Sequence, residues 1–232
     1  MDISRIKEDT ELTVANTGGF HVGDHIVIQE KVDGSNSAIV YDKETNKLVA
    51  FSRRQALDYN NTLNGFWNWV QTLAVKPFSK YPNYVFFGEW LTSHTIKYIQ
   101  DAYKKFYFYD VYDKENECYL PQSEAKRLAD ELNLRYVQTF YDGEFVSWEH
   151  CMSFMHKSDI AVDVPEGIVV KNQTELNNPN LQTPFVLKIV NSQFSEIKKD
   201  NHRQKVEDPQ KLAAKEKASD IVEQIVTKNR VQ

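Results

Sequence analysis

The sequence predicts an α+β fold in which two largely antiparallel β-sheets carry flanking helices. Two observations predict it. Short apolar runs bounded by turn residues recur along most of the chain, and helical spacing appears only in a few segments between them. With 232 residues, 41% apolar and 12% aromatic, the chain can bury a sizeable core as one large domain or one domain with a small appendage.

In chain order, strands are expected near 25–30, 36–42, 47–52, 84–90, 105–112, 134–140, 166–171 and 184–190. Each is a period-two or continuous apolar run, the pattern of a chain half or wholly buried in a sheet. Helices are expected over 61–75, 122–132, 147–157 and 209–228. In the first of these, Leu63, Phe66, Trp67, Val70, Leu73 and Ala74 recur at helical spacing, which reads as a core-facing stripe. The last opens with Asp208 as N-cap and Pro209 at the first helical position, and puts Leu212, Ile221, Val222, Ile225 and Val226 on one face. Asn177-Asn178-Pro179-Asn180 is a turn-rich loop. The segment from Glu196 to Asp208 is polar apart from Ile197 and Val206 and reads as a linker, dividing the chain into a main domain over 1–197 and a linker with a helical appendage over 198–232.

Composition excludes several classes. A net charge of -5 argues against a uniformly basic nucleic-acid surface, although 188–217 holds a modest local excess of Lys and Arg. Cys118 and Cys151 form neither a metal spacing nor a disulfide framework, which points to a reducing compartment. The six His residues are scattered. Neither a signal peptide nor an 18-residue apolar stretch is visible, so the expectation is a soluble cytoplasmic protein without a membrane span.

The most informative segment is Lys31-Val32-Asp33-Gly34, which lies between two expected strands. It puts an amine at a strand end, and an amine, unlike a guanidinium, can lose its proton and attack. An ordinary lysine, with a pKa of about 10.4, is neutral only rarely at pH 7. A site that uses Lys31 as nucleophile therefore has to set cations, a metal ion or low-dielectric walls around it.

Downstream, in order, come Ser52-Arg53-Arg54, Phe87-Gly88-Glu89-Trp90, Phe106-Tyr107-Phe108-Tyr109-Asp110, Glu166-Gly167-Ile168-Val169-Val170-Lys171 and Leu187-Lys188-Ile189-Val190. Over roughly 25–197 this ordered set resembles the collinear motifs of the covalent nucleotidyltransferases, which comprise ATP-dependent DNA and RNA ligases and GTP-dependent capping enzymes. Glu30-Lys31, Gly34-Ser35-Asn36 and Asn191-Ser192-Gln193-Phe194-Ser195-Glu196 look most like the nick-sealing RNA ligases typified by bacteriophage T4 RNA ligase 2.

The resemblance implies an adenylation-type two-sheet fold and an ATP-dependent joining of 5′-phosphate and 3′-hydroxyl RNA ends through a lysyl-AMP intermediate. It implies roles as well. Lys31 would take the adenylate, Glu89 bind the ribose, Tyr109 stack on adenine and Arg54, or its neighbour Arg53, hold phosphate. Glu166 would help hold Mg²⁺ (Mn²⁺ in its place), and Lys171 and Lys188 would neutralise the reacting phosphate and favour a neutral Lys31. Asn36 would support phosphate and metal-bound water, and Glu30 the nucleotide pocket. Bland readings stand beside these: core packing for Tyr109, surface positions for Arg53 and Arg54, a turn for Glu166-Gly167 and a strand-end charge for Lys171.

One position departs from the pattern, because Val190 stands where these ligases usually carry a second lysine. That departure and the negative net charge keep a non-catalytic RNA-binding module open as an alternative. A DNA ligase or capping enzyme is disfavoured, since the residues after Lys188 read as helix rather than as an appended barrel. RNA ends are the expected partner, and a further RNA-binding domain or protein that completes the RNA site is left open.

Overall fold

The structure, a computed structural model, describes residues 4–12, 17, 19–176 and 186–194. Its strands are β1 (Ser4–Lys7), β2 (His25–Glu30), β3 (Ser35–Asp42), β4 (Lys47–Ser52), β5 (Tyr84–Trp90), β6 (Phe106–Asp113), β7 (Cys118–Tyr119), β8 (Arg135–Tyr136), β9 (Thr139–Glu144), β10 (Gly167–Asn172) and β11 (Val186–Val190). Its helices, in chain order, are α1 (Phe66–Val70), α2 (Val75–Phe78), α3 (Gln122–Glu131) and α4 (Trp148–Met152). The expected linker, the helix over 209–228 and the loop over 177–180 lie outside the described residues.

Two sheets form, as expected. The first runs β1-β11-β10-β2-β9, and only β1 and β11 pair in parallel. The second runs β4-β3-β5-β6-β7, with β8 alongside β6 in parallel. The second sheet is built entirely from chain lying between β2 and β9 of the first.

Strand alternation gives each sheet an outer and an inner face. On the first sheet, Ile26, Ile28, Ile168, Val170, Leu187 and Ile189 point outward into a core closed by Phe145, Cys151, Phe154 and Met155. On the second, Ile39, Ala50, Phe86, Phe106 and Phe108 meet Phe66, Val70, Phe78, Ala125 and Leu128 from α1, α2 and α3. Each fully buried Phe or Leu contributes about 1.5–3 kcal/mol of hydrophobic stabilisation. A third cluster, with Val32, Leu91, Tyr98, Tyr107, Val190 and Phe194, joins the sheets at one end.

Strands β1 and β7 lie outside the expected runs, and three of the expected elements take a different form. The run 134–140 is not one strand: Arg135–Tyr136 pairs with β6, and Thr139–Glu144 pairs with β2. The chain changes sheets between them, with the Val137 amide donating to the Phe108 carbonyl and the Gln138 carbonyl accepting from Glu30. The run 61–75 breaks into the short helix α1 and the start of α2, because Leu63, Asn64 and Gly65 all take positive φ and Ala74 is extended. Its apolar residues still face the core, Phe66 and Val70 fully. The helix expected over 147–157 lasts only for Trp148–Met152, capped by the Ser147 hydroxyl, which accepts from the His150 amide at 3.2 Å. Among the described residues, no helix is long and apolar enough to cross a membrane.

Candidate active site

Lys31 follows β2 directly, and its amide donates to the Gly167 carbonyl at 3.0 Å, which pins the loop to the start of β10. Its amine lies 2.6 Å from Glu166 Oε1; the two side chains are 16% and 4% exposed. The turn after Lys31 is held by Asp33. The Asp33 carboxylate accepts from the amides of Thr95 (2.9 Å) and Ile96 (3.1 Å), and its own amide donates to the Tyr98 hydroxyl at 2.7 Å. Asp33 is therefore an anchor for the loop after β5.

Two glycines are required by close approach. A Cβ on Gly34 would lie 2.7 Å from the Trp90 carbonyl oxygen and 2.8 Å from Glu89 Cγ, and the bare Gly34 amide instead donates to Glu89 Oε1 at 3.2 Å. Gly167 has φ +143, and a Cβ there would come within 2.1 Å of the Ile189 carbonyl oxygen. These glycines bring the Lys31 turn and Glu166 against β5 and β11.

Glu89 lies on the inner face of β5, cross-strand from Asn36 on β3. Burial pushes its carboxyl up to about 7; nearby Lys31 and Lys188 work against that and Glu166 works with it. Lys188, on the inner face of β11 cross-strand from Val169, has its pKa lowered by burial and then by the Lys31 charge. Lys31, Glu89, Glu166 and Lys188 thus form one electrostatic group. Asn36 donates to the Tyr109 hydroxyl at 2.5 Å, which brings the expected stacking residue beside Glu89. Burial raises the Tyr109 pKa well above its ordinary value, so its hydroxyl stays protonated.

Three expected site residues sit elsewhere. Glu30 points away from this group: it accepts a short hydrogen bond from the Ser158 hydroxyl, and the charges that act on it are those of Asp159 and Arg135. Burial pushes its carboxyl to about 7. Lys171 is committed to protein partners, donating to Asp110 Oδ1 (2.7 Å) and the Tyr109 carbonyl (3.0 Å), so a direct phosphate contact would first have to break this pair. Arg53 and Arg54 are exposed in the turn after β4, where the Arg54 amide donates to Ser52 Oγ at 3.5 Å. Val190 is 1% exposed within the third apolar cluster, where a lysine amine would be buried.

The donor set fits a hard divalent cation. Glu166 and Glu89 supply carboxylate oxygens, and Glu166 is close enough to raise the cost of ionising Glu89. Among the described residues no group of three or more His, Cys, Asp or Glu side chains could hold a metal alone. Mg²⁺ and Mn²⁺ commonly take one or two carboxylates together with a substrate's phosphates. A shallow pocket of about 210 Å³ lies elsewhere, lined by Val27, Gln122, Lys126, Tyr136 and Tyr141 among others.

Sequence reading missed Gln29, Gln122 and Tyr136, which join Lys171 and Asp110 in a buried polar network. One signal was available: Gln29 is a lone amide inside the apolar strand β2.

Known structures share this fold. An archaeal ATP-dependent RNA ligase has the same fold with a TM-score of 0.58 at 19% identity, covering 84% of this chain and 48% of that one. An apo mutant of an RNA ligase from Naegleria gruberi gives 0.55 at 18% identity, covering 77% and 52%. A Naegleria gruberi RNA ligase mutant with ATP and Mn gives 0.53 at 17%, covering 76% and 52%. The chain thus spans about half the length of these proteins. No curated protein matches it significantly. The family model described as RNA ligase matches residues 24–190, from the start of β2 to the end of β11, and with it every strand that carries the Lys31 group; the chain belongs to the RNA ligase family.

Proposed function

We propose that the protein is an ATP-dependent RNA ligase that joins 5′-phosphate and 3′-hydroxyl RNA ends through a lysyl-AMP on Lys31. The observation that carries this reading is the convergence of Lys31, Glu89, Glu166 and Lys188 between the two sheets. Family membership and the shared fold support it.

In the first step the Lys31 amine, after giving a proton to solvent, attacks the α-phosphorus of ATP. An N–P bond forms, the bond to the bridging oxygen breaks and pyrophosphate leaves with that electron pair. Glu166 holds the amine in place before attack, at 2.6 Å. Lys188 offers positive charge to the phosphate oxygens, and such a preorganised contact is worth about 10² to 10³ in rate. Glu89, ionised above about pH 7, accepts from the ribose hydroxyls, and Tyr109 stacks on the base. A Mg²⁺ or Mn²⁺ ion held at Glu166 would supply charge neutralisation on the phosphates.

In the second step a 5′-phosphate oxygen of RNA attacks the adenylate phosphorus, the N–P bond breaks and Lys31 regains its proton. In the third the RNA 3′-hydroxyl attacks the 5′-phosphate phosphorus, loses its proton and expels AMP. Alignment and charge neutralisation carry both steps.

The test is incubation with α-labelled ATP or GTP and Mg²⁺, denaturing electrophoresis, and then a chase with nicked RNA. Label retained on the protein from ATP, and sealing of the RNA, support the reading. Label from GTP alone points to a capping-type enzyme, and label from neither to a binding module.

A further inference from the structure

Donors and acceptors from both sheets converge on one amide at the first position of α3. Gln122 Oε1 accepts from the Tyr136 hydroxyl (2.6 Å), Gln29 Nε2 (2.9 Å) and Lys171 Nζ (3.3 Å). Its Nε2 donates to Asp110 Oδ1 at 2.7 Å, the same oxygen that accepts from Lys171. Gln29 also donates to the Tyr136 hydroxyl at 2.8 Å, and the Gln122 backbone amide donates to Gln173 Oε1 at 2.8 Å. Gln29 (1% exposed), Gln122 (4%) and Lys171 (5%) are cut off from water, so each depends on this network for its hydrogen bonds.

The partners come from different layers. Gln29 lies on β2 and Lys171 on β10 of the first sheet, whereas Asp110 lies on β6 and Tyr136 on β8 of the second. Lys171 then reaches the Tyr109 carbonyl at 3.0 Å and holds its charge 5.4 Å from the Tyr109 ring centroid. The Gln122 amide accepts from three donors while donating to the Asp110 carboxylate, which neither a carboxylate nor an apolar side chain can do. A glutamate would set two carboxylates together, and an apolar residue would strand the donors.

We propose that Gln122 is a positioning residue for the nucleotide site: through Asp110 and Lys171 it fixes the spacing of the two sheets and the setting of the Tyr109 ring, and so sets the affinity for ATP. The proposal rests on the reading of Tyr109 as the base-stacking residue. It gives Lys171 a supporting task within the protein.

The experiment uses the full chain and reads equilibrium ATP binding, the ATP dependence of Lys31 adduct formation and the melting temperature. Gln122→Glu is expected to weaken ATP binding and raise half-saturating ATP about tenfold, while the rate at saturation changes less than about threefold. Combining it with Asp110→Asn reverses the polarity of the amide–carboxylate pair and is expected to bring both values back to within about threefold of the parent. Tyr136→Phe, which removes one hydroxyl, is expected to weaken ATP binding about threefold and decides the matter if Gln122→Glu does not fold. Unchanged ATP affinity, a saturating rate that falls in step with the melting temperature, or a double variant no better than the single would overturn the proposal. If the parent binds ATP without forming an adduct, the ligase reading fails and ATP binding alone decides Gln122; if it binds no ATP, both fail.

Discussion

Lys31 and Glu166 form an ion pair of 2.6 Å in which the two side chains are 16% and 4% exposed. Under the proposed function the Lys31 amine leaves this pair to attack, and a cation drawn to Glu166 by the phosphates would take its place. Lys31→Ala is expected to abolish the labelled adduct altogether. Glu166→Gln keeps the shape and removes the charge, and is expected to slow adduct formation about 10² to 10³-fold. Gel assays of label transfer check both, and a persistent adduct on the alanine variant would count against the nucleophile.

The Glu89 and Glu30 carboxyls are both pushed up by burial to about 7 from an ordinary 4.5. Between those values the folded state holds more protons than the unfolded chain, so stability falls as pH rises through that window. The melting temperature is expected to decline from about pH 5 to about pH 7.5, and Glu30→Gln is expected to flatten the slope. A profile that rises over this range contradicts the assigned burial.

Val190 packs with Val32, Leu91, Tyr107 and Phe194. Val190→Lys would bury an amine in an apolar cluster and is expected to cost on the order of 3 kcal/mol of stability, without speeding adenylylation. Denaturant unfolding checks the first part. A faster adduct with unchanged stability would show that this position opens onto the cleft.

Asp33→Ala removes the acceptor for two loop amides, those of Thr95 and Ile96. A loss of about 1–3 kcal/mol is expected, and Asp33→Asn, which keeps an acceptor oxygen, is expected to lose less. Equal losses in the two variants would mean that the anchoring is not through that oxygen.

Gly167→Ala meets both a φ of +143 and the Ile189 carbonyl. It is expected to destabilise by more than about 2 kcal/mol and to impair the adduct, because Glu166 is displaced with it. Circular dichroism melts and label transfer measure the two effects.

The parts of the molecule legible in the sequence are those fixed by local patterns. Strands β2, β3, β4, β5 and β6 carry their own periodicity, and the resemblance of the ordered motifs to the covalent nucleotidyltransferases points to Lys31, Glu89, Glu166 and Lys188. What the sequence hid depends on partners far along the chain. Glu30 and Lys31 are neighbours, yet the pleat sends Glu30 to Ser158. Lys171 looks like a free cation until Asp110, 61 residues earlier, is placed against it. The run 134–140 has strand character throughout, and no local signal tells that its two ends belong to different sheets.

That sheet change has a mechanical consequence. The chain joins the second sheet to the first at two places, residues 31–34 and 137–138. Lys31 is at one of those places, tied to the first sheet through Gly167 and to the second through the Gly34–Glu89 hydrogen bond. Under the proposed function, a hinge-like opening between the layers would shift Lys31 relative to Glu89 and so couple access of substrate to alignment of the attacking nitrogen.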